Sequence, residues 1–200
     1  MKLLYAPTSA YTRKVMVVAH ETGQVDDIEI VFTTASPVTP NEDLNRANPL
    51  GKIPALVVDG ETLFDSRVIC EFLDARSSGV KVFPAGGKAR WRALTQQALG
   101  DGLIDAALGA RYEALMRPAE RQWQGWRDAQ LAKVHRAVAS MADNVPSNLT
   151  IGAIACGCAL GYLDFRYPEI DWRSPHPLLA DWFAAFSERP SMKMTVPMDA

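Results

Sequence analysis

The sequence is short of the residues from which metal and thiol chemistry is built, with three cysteines and three histidines in 200 residues. Cys70, Cys156 and Cys158 are odd in number and sit in apolar surroundings, which suits reduced, buried thiols better than a disulfide framework. Cys156 and Cys158 stand two residues apart on a helical stretch and so point to different faces, with no His or second Cys pair nearby in sequence. They read as core packing. His20, His135 and His176 are scattered, and none forms a ligand pattern such as His-Glu-x-x-His, so no metal is expected. No apolar run reaches the roughly 20 residues of a membrane-spanning helix, and no signal-peptide pattern opens the chain. The expectation is a cytoplasmic protein with no membrane partner. An excess of either charge is missing too: 21 Lys and Arg against 23 Asp and Glu leave a net charge of -2, too little to hold a nucleic-acid backbone.

What is present is ordinary for a folded soluble protein, with 48% hydrophobic and 22% charged residues. The length allows one large domain or two small ones. Periodicity separates two halves. Residues 1–77 mix strand and helix signals: a short strand at Leu3 to Tyr5, a buried helix from Thr12 to Glu21 stopped at Gly23, and an alternating strand from Ile28 to Phe32. A short helix over Asn41 to Ala47 follows. Ala55 to Phe64 then carries two β-rich runs joined by Asp59-Gly60, a strong hairpin signal. Asp65-Ser66 opens an amphipathic helix with Val68, Ile69, Phe72 and Leu73 on one face. The order is βαβαββα. Ser77-Ser78-Gly79 and Pro84-Ala85-Gly86-Gly87 interrupt all periodicity, so 78–87 reads as a linker. Residues 88–200 read as all-helical, with helices over 88 to about 116, 119–143, 150–166 and 177–187.

Three stretches carry candidate chemistry. Pro54 stands at the head of the first hairpin strand, where a cis Ile53-Pro54 bond would aim the backbone groups of Ile53 outwards, ready to pair with an extended peptide. Asp65 and Ser66 begin a helix, where N–H groups and the helix dipole favour a carboxylate. Ala6 to Lys14 crowds Thr8, Ser9, Tyr11 and Thr12 together with Arg13 and Lys14 directly after the first strand.

A strand, a hydroxyl-bearing turn, a helix, then Pro49-Leu-Gly-Lys-Ile-Pro-Ala-Leu56, an Asp-Gly hairpin and Asp-Ser before a helix together resemble the N-terminal domain of cytosolic glutathione transferases. The helical second half extends the resemblance over the chain. Leu160-Gly-Tyr-Leu-Asp-Phe-Arg166 is similar to the bacterial YibF-type members. The resemblance implies a thioredoxin-like α+β domain at 1–77 that binds glutathione, a linker at 78–87, and an all-α domain at 88–200 that supplies most of the second substrate's pocket. It also implies a cytoplasmic homodimer that conjugates glutathione, as co-substrate, to small hydrophobic electrophiles in detoxification. A catalytically weak glutathione-binding module of the same fold, or a glutathione-dependent isomerase or lyase, is the alternative. By the same resemblance Ile53 and Pro54 pair with the cysteinyl unit, Asp65 and Ser66 hold the γ-glutamyl end, and Lys52 neutralises the glycyl carboxylate. Asp101 matches an acid that reaches a neighbour's glutathione amine across a dimer. Ser9-Ala10-Tyr11 matches the Ser/Cys-Pro-Phe/Tyr turn, which assigns the sulfur contact to Ser9, with Thr8 and Tyr5 as alternatives. Ala10 departs from the proline of that pattern, and Ala153 from an acidic helix-capping position.

Overall fold

The computed structural model describes residues 1–199 and divides into two compact units, one of residues 1–90 with the segment from Arg189 onward and one of Trp91–Glu188. In the first unit the order is β1 (Lys2–Tyr5), α1 (Ala10–Glu21), β2 (Glu29–Phe32), α2 (Glu42–Ala47), β3 (Ala55–Val58), β4 (Glu61–Leu63) and α3 (Ser66–Arg76). The βαβαββα order read from the sequence is therefore the observed one. The strands form one mixed sheet in the order β2-β1-β3-β4, with β1 parallel to β2 and antiparallel to β3. β3 and β4 are antiparallel across Asp59 and Gly60, whose φ values of 50° and 85° are those of a two-residue mirror-image turn. α1 and α3 pack on each other, and Leu3, Val15, Val17, Val18, Leu56, Ile69 and Leu73 make a core with no exposed surface.

Two expectations shift here. The linker stretch is bound back to α3: the Asp74 carboxylate, buried at the end of that helix, accepts from Val82 N at 2.5 Å and Phe83 N at 3.0 Å, and Phe83 is itself buried. The segment from Arg189 onward, expected with the helical domain, packs with the first unit instead. It contains α8 (Pro190–Lys193), which the sequence reading did not anticipate. Long-range polar contacts with α1 explain the switch. Arg189 donates from Nε and Nη2 to the two Glu21 oxygens, each at 2.8 Å, Ser191 donates to the same carboxylate, and Arg13 Nη2 donates to Met192 O at 3.2 Å.

The second unit holds most of α4 (Gly87–Leu115), then α5 (Gln124–Asp143), α6 (Ile151–Arg166) and α7 (Pro177–Ser187). Every residue of α6 from Ile151 to Leu163 is buried, as expected for a helix that is apolar on all faces. Gly100 lets α4 and α6 touch: a Cβ there would stand 2.8 Å from the Ala155 backbone. Thr150 caps α6 alone, accepting from Ala153 N at 3.3 Å, so the missing acid at Ala153 leaves a one-sided cap. α5 starts at Gln124 rather than 119 because the buried Glu113 carboxylate accepts the Trp123 N–H at 2.8 Å and pairs with Arg117 Nε at 2.7 Å, which holds the chain extended before the helix. Among the described residues no helix is long and apolar enough to cross a membrane.

The Glu21 contacts give the tail a pH dependence. Hydrogen bonding from Arg189 holds the Glu21 carboxyl below its ordinary range, so the folded chain takes up this proton less readily than the unfolded one. The stabilisation is complete above the unfolded pKa near 4.3 and is lost as pH falls through the lower folded value. Glu21→Gln is expected to cost about 2 kcal/mol at pH 7 in urea denaturation, with the gap to the parent closing in acid. A gap that persists undiminished in acid refutes the assignment.

Candidate functional site

The sheet register gathers the candidate residues at one end of the first unit. Leu4 faces Ala55 in the β1-β3 ladder, so Tyr5 and the turn after it lie beside Ile53 and Pro54, which precede β3. Leu56 faces Leu63 in the β3-β4 ladder, so Asp65 and Ser66, just beyond β4, come to the same end. α1 and α3 both begin there and direct the positive ends of their dipoles to that edge.

Ser9 is the N-cap of α1: its backbone is extended, and its Oγ accepts from Thr12 N at 3.2 Å. That bond uses the oxygen as acceptor and leaves the O–H proton available to donate. The fully buried Thr12 braces the turn, its Oγ1 lying 2.8 Å from Ala6 O and 2.9 Å from Ser9 O. Those two carbonyls therefore do not depend on the Ser9 hydroxyl. Thr8 lies half-buried in the turn, outside the helix. Tyr5 ends β1 and stacks edge-to-face with Phe32 at 5.8 Å. Burial pushes its phenol up, against a smaller opposing pull from Arg13. Thr12 was not assigned a site role from the sequence, although its place three residues after Ser9 is the signal of a capped turn.

The Ile53-Pro54 bond is cis, as the position of the proline led us to expect. Ile53 makes no backbone hydrogen bond among the described residues, so both its N–H and its C=O are open to pairing. The loop before it is organised by Asn48, only 2% exposed, whose side chain donates to Lys52 O at 2.7 Å and accepts from Leu50 N at 3.0 Å. Lys52 itself is exposed. Asp65 caps α3, accepting from Arg67 N at 2.9 Å, and remains exposed. Ser66 is 3% exposed, yet its hydroxyl has no hydrogen bond among the described residues.

Asp101 departs from expectation. It lies in α4 with 1% exposure, close enough to Cys156 to raise that thiol's pKa. Within the single chain this carboxylate is therefore enclosed rather than presented at the surface. The three cysteines are buried, and among the described residues none forms a disulfide. Burial first, then the charges of Cys158 and Asp101, push the Cys156 thiol up to about 12. Among the described residues no group of His, Cys, Asp and Glu is arranged to hold a metal ion.

The first unit is thus a thioredoxin-like sheet whose cis-proline edge adjoins two helix N-termini, and a helical unit follows it. The profile of the Glutathione S-transferase, N-terminal domain matches residues 8–76, and that of the Glutathione S-transferase, C-terminal domain matches 124–185. The chain is 30% identical to the GST-like protein YibF of Escherichia coli (strain K12) over all of both chains. Among solved structures it is similar to a glutathione transferase family member from Pseudomonas fluorescens Pf-5 with bound glutathione, at 47% identity and TM-score 0.96 over 99% of each chain. A second structure from that source, with bound S-(propanoic acid)-glutathione, matches at 45% identity and TM-score 0.91 over 100% of each chain. The chain belongs to the glutathione transferase family.

Because every thiol is enclosed, the native protein is expected to be inert to an aromatic disulfide reagent, with all three cysteines reacting once urea unfolds it. A rapidly modified cysteine in the native chain contradicts this.

Proposed function

We propose that the protein is a glutathione transferase of the serine type, active as a cytoplasmic homodimer, with 1–77 as its glutathione-binding domain and the helical unit of Trp91–Glu188 furnishing the second-substrate surface. Ser9 donates its O–H to the glutathione sulfur while its oxygen stays bonded to Thr12 N. Thr8 and Tyr5 rank behind it, Thr8 for lying outside the helix and Tyr5 for its raised pKa. Ile53, beside cis Pro54, pairs its main chain with the cysteinyl unit. Ser66 offers its hydroxyl and N–H to the γ-glutamyl carboxylate, Asp65 attracts the ammonium, and Lys52 meets the glycyl carboxylate. The single observation that carries this reading is that Ser9, a donor-ready N-cap, lies at the same sheet end as the open Ile53 backbone and the unpaired Ser66 hydroxyl.

The chemistry follows from charge. A thiol near pKa 8.5 ionises more readily when a hydroxyl and a helix N-terminus face the sulfur, and each unit of lowering corresponds to about 1.4 kcal/mol. One donor, at about 1 kcal/mol, and the dipole, at up to about 1 kcal/mol, supply that amount. The thiolate then attacks an electrophilic carbon and forms a thioether. The Pseudomonas fluorescens protein is solved with a thioether of glutathione, which supports this reaction class for the present chain.

Calorimetry is expected to detect glutathione binding, and its absence at millimolar ligand sinks the proposal. Two variants separate the cap from the donor. Ser9→Ala is expected to lose about 1 kcal/mol of stability and to raise the pKa of bound glutathione by about one unit. Ser9→Asp keeps the cap and stability while raising that pKa further, because a carboxylate opposes the thiolate. Ultraviolet thiolate absorbance against pH reads both, and an unchanged pKa in both variants moves the role to Thr8 or Tyr5.

A further inference from the structure

Within the first unit, α1 makes two contacts with the C-terminal segment, and they differ in charge. At the far end of the helix the Glu21 carboxylate neutralises Arg189, each of its oxygens accepting at 2.8 Å. At the Ser9 end Arg13, 6% exposed, donates from Nη2 to Met192 O at 3.2 Å and has its Nε 3.5 Å from Thr195 Oγ1. Both acceptors are neutral. Among the described residues no carboxylate stands within ion-pair distance of this guanidinium, so its donors are engaged while its permanent charge is not offset.

Arg13 N donates to Ser9 O at 2.9 Å, which sets Arg13 one turn after the N-cap on the same side of α1. Helical side chains lean toward the N-terminus, so the guanidinium is carried back toward the Ser9 turn. Burial raises the phenol of Tyr5, the residue at the head of that turn, and the Arg13 charge opposes the rise. Charged groups on the surrounding elements do not cancel this field. Lys14 is fully buried on another side of α1 with an interaction of its own. On α3, Asp74 is taken up by Val82 N and Phe83 N, and Glu71 by Arg90. Asp65, Arg67, Lys193 and Asp199 are exposed, where water and salt screen them.

An enclosed charge is screened far less, and at about 10 Å it changes the pKa of an acid by about one unit. We propose that Arg13 is a further positive element of the glutathione site, acting on the thiolate at the Ser9 turn without touching it, and that Met192 and Thr195 keep it effective by holding it through neutral oxygens. The inference rests on the glutathione-conjugating reading. It gives residues 189–195 a part in the reaction, since a carboxylate in place of either acceptor would also hold Arg13 but would cancel its field.

Ultraviolet absorbance of bound glutathione against pH, on the full chain, tests this. Arg13→Gln removes the charge while keeping an amide donor and is expected to raise the thiol pKa by about one unit. Arg13→Lys keeps the charge and loses the planar fork, and is expected to show less than half of that rise. Thr195→Asp leaves Arg13 in place with a carboxylate beside it and is expected to match Arg13→Gln, whereas Thr195→Val removes the same hydroxyl without adding charge and leaves the pKa where it was. A purely structural role predicts that Arg13→Lys and Thr195→Val disturb the site as much as their partners do. That pattern, or an unchanged pKa in Arg13→Gln and Thr195→Asp, overturns the inference and leaves glutathione conjugation standing. If Arg13→Gln does not fold, the two Thr195 variants decide. Should the parent bind no glutathione, the conjugation reading fails, and the Tyr5 phenol of the ligand-free chain, read as the tyrosinate absorbance lost in Tyr5→Phe, still reports the field: Thr195→Asp is expected to raise its pKa, and no change overturns the role of Arg13.

Discussion

The register of β3, clamped between β1 and β4, is the constraint on which the candidate site depends. Ser9, Ile53 and Ser66 are far apart in sequence, and they share an edge because β3 runs antiparallel to both neighbours with Leu3 against Leu56 and Leu56 against Leu63. A slip of one residue turns each strand's side chains to the opposite face. It would expose Leu56, which with Leu3 has no exposed surface, at about 1.5–3 kcal/mol for each leucine. The apolar core thus fixes to within one residue the positions of polar groups it never touches.

At that edge the turn after β1 solves a problem of competing hydrogen bonds. A serine at a helix start is drawn to nearby backbone carbonyls as a donor and to N–H groups as an acceptor. Thr12 takes over the carbonyls of Ala6 and Ser9, and the Ser9 oxygen is committed to Thr12 N. A proton on a positioned oxygen remains, pointing to use by a ligand. The chain's own thiols do not compete for this chemistry, since Cys156, the one whose pKa is pushed up to about 12, is enclosed in the helical unit.

Local grammar was legible in the sequence. Alternation marked β2, Asp59-Gly60 marked the hairpin, Asp65 and Thr150 marked helix starts, and Pro54 at a strand head marked the cis bond. What could not be read depends on partners distant in sequence. The tail from Arg189 carries no periodicity that points to α1, and its place is set by a Glu21 carboxylate 168 residues away. The start of α5 was read too early because Glu113, ten residues upstream, holds Trp123 extended. Asp101 shows the same limit at the level of the site: a charge pattern on a long helix does not reveal which face a second helix covers, and here that face is buried.

Arginine pairing carries a final distinction. Arg117 is paired with the Glu113 carboxylate, Arg173 with Asp164, Arg189 with Glu21 and Arg90 with Glu71, while the buried Arg13 is satisfied by the Met192 carbonyl. Holding a partly desolvated cation without a partner costs stability, and so does leaving an enclosed hydroxyl unbonded. Arg13 and Arg189 avoid the first cost by donating to Met192 O and to the Glu21 carboxylate.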